Sequence, residues 1–294
     1  MAPVSGAIQP LAWRSPSRGA AGGAASSARK PEMNLLHLIN PLYSFSGFVV
    51  GMLVGFTGVG GGSLMTPLLV MAFGIHPATA VGTDLLYAAA TKTVGTTVHG
   101  ARHTVAWGIV WRLAAGSVPA TVLTLLVLSR LGKKLDAAHG LITSVLGVAL
   151  ILTAIAILFR QEIIKFFANR MGKENPRRTT ILTIILGAVL GVLVSVSSVG
   201  AGALGMTVLL VLYPKLPVAK LVGSDIAHAV PLTLLAGLGH WMMGSVDFHL
   251  LVSLLTGSIP GIVIGSLLAS KASDRILRPI LASTLALVGG KLFF

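Results

Sequence analysis

Two glycine-rich segments carry residues that could hold a small ion. The first consists of Gly60, Gly61, Gly62 and Ser63, and about 140 residues later the second consists of Ser197, Ser198, Gly200 and Gly202. Glycine interrupts a membrane helix, and the helix that restarts presents bare N–H groups and the positive end of its dipole. Such an end binds anions without a charged side chain. The segments therefore predict an anion site, and close packing of helices through small residues is the simpler alternative.

A lysine lies in the apolar stretch that follows the first glycine segment. Asp84, Ala88, Lys92, Thr96 and His99 are spaced by four, four, four and three residues, so they share one face of a helix. An ionised group inside a membrane is costly and usually marks a pathway. Direct neutralisation of Asp84 by Lys92 is disfavoured because eight residues span about 12 Å of helix. Lys92 is therefore predicted to bind the anion.

The matching stretch of the second half contains acidic and imidazole groups but no lysine. Asp225 and His240 lie on the equivalent face, and His228 lies one turn from Asp225. We interpret Asp84 and Asp225 as helix N-caps, with the binding of coupling ions as the alternative. His99 and His240 lie near predicted helix ends, where surface placement is favoured over a proton relay.

The similarity of the two stretches extends over most of the chain. Val81-Gly82-Thr83-Asp84 is matched by Val222-Gly223-Ser224-Asp225, and further on three pairs match, namely His99 with His240, Gly116 with Gly257 and Pro119 with Pro260. The offset slips by one residue between the glycine segments and the aspartates. A duplicated unit in a membrane protein is typical of transporters.

The composition predicts an all-α integral membrane protein. Hydrophobic residues make up 54% and charged residues 10% of the chain, whereas about a quarter of an ordinary soluble domain is charged. Several apolar stretches approach the roughly 20 residues that a spanning helix needs. The net charge of +14 falls mostly in loops between these stretches, so it is an orientation signal and does not predict nucleic-acid binding.

Several classes of activity lack their sequence signatures. The chain has no cysteine, which excludes thiolate nucleophiles and cysteine-based metal sites. Walker, Gly-x-Ser-x-Gly and His-Glu-x-x-His motifs do not occur, so we expect neither an enzyme nor a bound cofactor. A metal-ion carrier that uses Asp84, Asp225, His99 and His240 is left as an alternative, against which Lys92 argues.

Each half contains two short apolar segments followed by three long ones. The first half has segments 42–57, 63–73, 78–99, 105–129 and 137–159, and the second has 181–196, 203–213, 218–241, 248–270 and 276–293. The predicted units are a disordered or non-native tail at 1–32, repeat 1 at 33–160, a basic cytoplasmic linker at 161–179 and repeat 2 at 180–294. A short amphipathic stretch in the linker region suits the membrane surface.

Loop charge separates two topologies for these segments. If each short pair is a re-entrant hairpin, the halves are inverted, and if it is one broken crossing, they are parallel. Outside the tail, inversion places twelve Lys and Arg residues inside and four outside, whereas the parallel arrangement places eight on each side. Basic residues collect on the cytoplasmic side, which favours inverted repeats.

The sequence resembles the TauE/SafE sulfite exporter family. The resemblance rests on the run from Gly55 to Leu69, the run from His76 to Asp84, and the layout of both repeats from about residue 42 to residue 294. It implies a permease that exports sulfite, sulfoacetate or a related sulfonate across the bacterial inner membrane. H⁺ or Na⁺ is the expected coupling ion, an anion channel is the alternative, and a homodimer is left open.

Overall fold

The structure is a computed structural model, and it describes residues 39–57, 62–101, 103–131, 135–168 and 175–268. In these ranges the regular elements are all α-helices, which confirms the all-α part of the predicted fold class. They are α1 Pro41–Thr57, α2 Gly62–Met71, α3 Pro77–Ala101, α4 Trp107–Leu131, α5 Leu135–Leu158, α6 Arg160–Ala168, α7 Pro176–Ser197, α8 Ala203–Leu212, α9 Val218–Met242 and α10 Phe248–Leu268. The predicted tail at 1–32 and the last predicted segment at 276–293 lie outside the described residues.

Among the described helices, α4, α7, α9 and α10 are long and apolar enough to cross a membrane. The α5 and α6 pair meets the same criterion together but bends by 74° at Phe159. Helix α3 has 25 residues, as α9 does, but its polar residues make it less apolar than these spans. The predicted linker contains most of α6, and α7 already begins inside its range.

Helices α2 and α8 each fold back on the helix that precedes them. Near the start of α1, the ring of Tyr43 lies 4.8 Å from the ring of Phe73, which follows α2. Near the start of α7, the Thr183 hydroxyl lies 2.8 Å from the Tyr213 hydroxyl, which follows α8. Tyr43 and Thr183 are 140 positions apart, as are Phe73 and Tyr213. Helices α1 with α2 and α7 with α8 are therefore two hairpins with matching closures.

Helices α3 and α9 lie side by side in opposite directions. A Cβ atom on Gly82, near the start of α3, would lie 2.1 Å from the Ser245 carbonyl oxygen, just past the end of α9. A Cβ atom on Gly223, near the start of α9, would lie 2.3 Å from the Thr104 carbonyl oxygen, just past the end of α3. Gly82 and Gly223 are 141 positions apart, as are Thr104 and Ser245, so the two contacts are equivalent in the two halves.

Two hydrogen bonds repeat this exchange next to the glycines. The Asp247 N–H donates to Thr83 Oγ1 at 3.0 Å, and the Ala106 N–H donates to Ser224 Oγ at 2.8 Å. Both acceptors and both donors are separated by the same 141 positions. The hydroxyls thus join the start of each central helix to the loop that leaves the other.

The outer helices also pair across the two halves. Gly47 of α1 packs on Leu254 of α10, and Gly187 of α7 packs on Leu113 of α4, with the glycine Cβ position 2.1 Å from the carbonyl oxygen in both cases. A side chain at either glycine would overlap the facing backbone, so small residues set the approach of these helices. The contacts run in register along each pair, which makes α1 parallel to α10 and α4 parallel to α7.

Candidate functional site

The break between α7 and α8 is buried inside the protein. Ser198 has φ of 58° and Gly200 has φ of 114°, both in the left-handed region. Glycine adopts such a conformation at little cost, which explains why the break is glycine-rich. Helix α8 then begins after Gly202 without a side-chain cap, so the positive end of its dipole lies in the interior.

The glycine segment of the first half is described only in part. Gly60 and Gly61 lie outside the described residues, and Gly62 is the first residue of α2. The Ser63 backbone belongs to α2, but its side chain is outside the description.

The two serines of this break have different surroundings. Ser197 Oγ donates to the Leu193 carbonyl oxygen at 2.6 Å and accepts the Val199 N–H at 3.2 Å. Those bonds stabilise the break itself. Ser198 Oγ is also buried, and Ser198 interacts with the Asp84 carboxylate on α3. Of the two serines, Ser198 is therefore the one that faces a residue of the other half.

Asp84 connects this break to the first half. It is fully buried, and its Oδ2 accepts a hydrogen bond from Thr66 Oγ1 on α2. Ser198 interacts with the same carboxylate, yet Asp84 Oδ1 has no hydrogen-bond partner within the described parts of the chain. A residue of one half therefore faces the broken hairpin of the other.

The interpretation of Asp84 and Asp225 as helix N-caps is wrong. Helix α3 begins at Pro77 and α9 begins at Val218, so each aspartate lies two turns inside its helix. Proline fits the first turn of a helix because its missing N–H is not needed there, and this places the α3 start well before Asp84. The carboxylates thus remain available for electrostatic interactions.

Lys92 is a buried cation within electrostatic reach of both carboxylates. Its side chain is 3% exposed, and it interacts electrostatically with Asp225 and, less strongly, with Asp84. Gly95, one turn further along α3, would place a Cβ atom 3.5 Å from Ile226 Cγ2, so this part of α3 crosses α9 beside Asp225. The spacing of residues along α3 alone does not predict the interaction of Lys92 with Asp225, because that interaction depends on how α3 packs against α9.

Arg160, the last residue of the predicted repeat 1, is a second cation near Asp225. It lies at the sharp bend between α5 and α6, and Asp225 interacts electrostatically with it. The Nε atom of Arg160 is buried. The bend thus places the Arg160 side chain, which follows the end of α5, close enough to interact with Asp225.

The three candidate histidines occupy different environments. His228 Nε2 is 2.9 Å from Ser117 Oγ on α4, and Lys92 interacts with this imidazole electrostatically. His240 is 1% exposed with its Nε2 atom 2.8 Å from the Ser195 carbonyl oxygen, so its predicted surface placement is wrong. His99 is partly buried and its Nδ1 atom lies 3.0 Å from Thr104 Oγ1.

The arrangement brings together some predicted residues and separates others. Lys92, Asp225, His228 and Asp84 form an electrostatically connected cluster at the α3 and α9 interface, with Ser198 against Asp84. His99 lies toward the far end of α3 and is not part of this cluster. In the described parts of the chain, no three His, Asp or Glu side chains are grouped as a metal site. The cluster supplies one buried ammonium group for an anion and two carboxylates for a cation.

Thr66, Ser117 and Arg160 are the contacts that the sequence analysis did not name. The duplicated pattern contains a signal for two of them, since Thr66 is matched by Thr207 and Ser117 by Ser258 at the same offset of 141. Polar residues that occur at matching positions of both copies, inside apolar stretches, are therefore candidates for contacts in the protein interior.

Comparison with known proteins supports a transport role. Residues 43–292 match the family described as sulfite exporter TauE/SafE. A probable membrane transporter protein of Bacillus subtilis, YjnA, is 41% identical over 84% of this chain and 96% of its own length. A second probable membrane transporter protein of that organism, YdhB, is 29% identical over 84% of this chain and 97% of its own length.

A more distant relative, a probable membrane transporter protein of Xylella fastidiosa, is 24% identical over 78% of this chain and 84% of its own length. No solved structure matches the chain significantly. The family match covers most of the sequence, including both hairpins and the central helices. This chain belongs to the TauE/SafE family of membrane transporters.

Proposed function

We propose that the protein is a secondary transporter that exports a small sulfur oxyanion or organosulfonate, such as sulfite or sulfoacetate, across the bacterial inner membrane. The observation that carries this proposal is Lys92, a buried ammonium group where α3 crosses α9. A lysine at this position attracts an anion, and the broken hairpin adds the positive end of α8. The family name supplies the sulfur chemistry of the substrate.

The two carboxylates suggest how transport is coupled. Lys92 with ionised Asp84 and Asp225 gives the trio a net negative charge, which repels an anion. A proton or Na⁺ bound at one carboxylate removes that repulsion. The anion and the coupling cation would then share the cluster, with the anion against Lys92 and the cation against an aspartate.

The contact pattern supports inverted repeats as the framework for this mechanism. Equivalent helices α3 and α9 are antiparallel, and their end contacts exchange when residue numbers are shifted by 141. A two-fold relation between antiparallel spans has its axis in the membrane plane, as in many transporters that alternate between two access states. Asp84 lies nearer one end of the bundle and Asp225 nearer the other, so each side of the membrane would reach one carboxylate.

Flux measurements in proteoliposomes test the proposal. Lys92→Met keeps an unbranched side chain of similar length but removes the charge that would contact the anion. We expect sulfite or sulfoacetate flux to fall at least about tenfold, since a hydrogen bond to a charged group contributes about 1.5–3 kcal/mol. Lys220→Met, which removes an exposed lysine from the first turn of α9, serves as the control and should leave flux within about twofold. Unchanged flux in a monodisperse Lys92→Met protein would refute the assigned site.

A further inference from the structure

A basic cavity lies at the end of the molecule where α4 and α7 begin. Its volume is about 300 Å³. The lining combines polar groups with apolar ones, and includes Arg112, Lys215, Thr179, Tyr213, Leu212 and Leu216. It lies well away from Lys92, at the level of the helix ends.

The polar lining suits an oxyanion. Arg112 Nη1 donates to the Tyr213 hydroxyl at 3.3 Å, and that hydroxyl lies 2.8 Å from Thr183 Oγ1. These contacts hold the guanidinium group at the cavity wall. Among the described residues that line the cavity none is acidic, and Arg112 and Lys215 are basic. Arginine and lysine together are a common combination for binding phosphate.

The position of the cavity points to a lipid. Trp111, next to Arg112 in the chain, is 71% exposed, and Trp107, one turn before it, is also exposed. Exposed tryptophans at the end of a span mark the level of the lipid headgroups. Leu212 and Leu216 then provide an apolar wall on which the glycerol and upper acyl chains of a phospholipid would pack.

Charge at this end of the molecule selects an anionic lipid. Arg177, Arg178 and Lys220 are exposed on the first turns of α7 and α9, at the same end as the cavity. Basic residues collect on the cytoplasmic side of membrane proteins, where anionic lipids are attracted to them. The cavity is therefore on the side where such headgroups are recognised.

The matching place at the opposite end has none of this chemistry. Ser253 is the counterpart of Arg112 there, Phe73 that of Tyr213 and Ile75 that of Lys215. Phe73 packs against Tyr43 and closes the first hairpin through an aromatic contact between described residues. The hairpin architecture thus forms without Arg112 or Lys215, so packing does not account for these two cations.

We propose that this cavity binds the phosphate headgroup of an anionic phospholipid. The inference is independent of the transported substrate, because none of the cavity residues belongs to the Lys92 cluster. Arg112 and Lys215 pair with the phosphate, Tyr213 orients Arg112, and the leucines contact the apolar part of the lipid.

Native mass spectrometry of the purified full chain tests this proposal with phosphatidylglycerol and phosphatidylcholine as probes. The parent should retain phosphatidylglycerol in preference to phosphatidylcholine. Each charge near the membrane surface contributes about fivefold to binding, so the double variant Arg112→Gln with Lys215→Gln should bind phosphatidylglycerol roughly 25-fold more weakly. The control, Arg177→Gln with Arg178→Gln, removes as much charge from the same end outside the cavity and should lose less affinity.

Two further arms complete the experiment. In the first, inorganic phosphate is added at the same concentration as phosphatidylglycerol. If phosphate displaces the lipid from the parent and does not bind to the double variant, the cavity is a site for a free oxyanion and the lipid proposal is overturned. If the double variant aggregates, Arg112→Lys and Arg112→Gln replace it, and we expect the lysine variant to bind more tightly. Equal phosphatidylglycerol binding by the parent and the Arg112→Gln variant would also overturn it.

Discussion

At the scale of single residues, equivalent positions of the two halves have the same side chain but different contacts. Thr66 donates its hydroxyl hydrogen to the buried Asp84, whereas Thr207 donates to the Ala203 carbonyl oxygen of its own helix at 2.8 Å. The Asp225 Oδ1 atom has no hydrogen-bond partner among the described residues and would lie 2.7 Å from a Cβ atom on Gly205. The two carboxylates are therefore held differently, which gives the duplicated site an asymmetry.

This difference predicts unequal effects of one substitution. Thr66→Val removes the hydroxyl that donates to Asp84 Oδ2, so we expect the free energy of unfolding in detergent to fall by about 1–3 kcal/mol. Thr207→Val removes a bond within one helix and should change stability by less than about 0.5 kcal/mol. Equal losses would contradict the assigned role of Thr66.

At this scale only part of the candidate site is predictable from the sequence. The sequence singles out Lys92, Asp84 and Asp225 as candidates because charged residues inside apolar stretches are rare. Their mutual geometry was not predictable, since it depends on the crossing of α3 and α9. The N-cap interpretation failed for a related reason: a Thr-Asp pair resembles a helix start, but the apolar residues before it continue the helix back to Pro77.

At the scale of the helices, glycines determine which elements approach each other closely. A Cβ atom on Gly116 of α4 would lie 1.9 Å from the Ile184 carbonyl oxygen of α7, and one on Gly257 of α10 would lie 1.7 Å from the Ser44 carbonyl oxygen of α1. Both glycines precede a proline by three residues in matching helices. A glycine in close contact with the facing backbone therefore lies at both interfaces, between α4 and α7 and between α10 and α1.

Substitutions within α4 test this packing. Gly116→Ala should force α4 and α7 apart and lower the free energy of unfolding by about 1–3 kcal/mol, as overpacking generally does. Gly108→Ala is the matched control in the same helix, because its Cβ atom would meet nothing within 4 Å. Alanine there should be neutral or stabilising by up to about 1 kcal/mol. Equal thermal midpoints for the two variants would argue against the close contact.

The helices themselves were largely predictable from the chain. Runs of apolar residues predict the described helices other than α6, with bounds that differ by at most five residues. The length of the spanning helices is set by the thickness of the bilayer. The hairpin closures were not predictable. They depend on the Tyr43 and Phe73 rings meeting at 4.8 Å, a contact that no local pattern encodes.

At the scale of the whole molecule, the contacts that repeat at an offset of 141 support a duplicated architecture with inverted halves. Sequence similarity predicted the duplication, and loop charge favoured inversion. Neither observation required that α3 and α9 be neighbours. Their antiparallel packing is the structural observation that bears on the orientation of the halves.

Cysteine labelling tests this orientation directly, since the native chain contains no cysteine. Ala72 and Ala219 are exposed near the starts of α3 and α9, and single cysteines there should lie on opposite sides of the membrane. A thiol reagent that cannot cross the membrane should label Ala72→Cys in intact cells and label Ala219→Cys only after lysis.

His249→Cys, exposed at the start of α10, should react from the same side as Ala72→Cys and thereby controls for reactivity. Labelling of both Ala72→Cys and Ala219→Cys in intact cells would require parallel halves. The comparison needs no functional protein assay, so it separates the architecture from the proposed transport activity.

The pairing of α1 with α10 has a consequence for biosynthesis. Helix α1 leaves the ribosome before the other described helices, but the backbone that its Gly47 fits, at Leu254, is made roughly 200 residues later. At about 5–20 residues per second, α1 waits about 10–40 s in the bilayer before its partner exists. Any product truncated before α10 therefore has no helix packed against the glycine face of α1 at this contact.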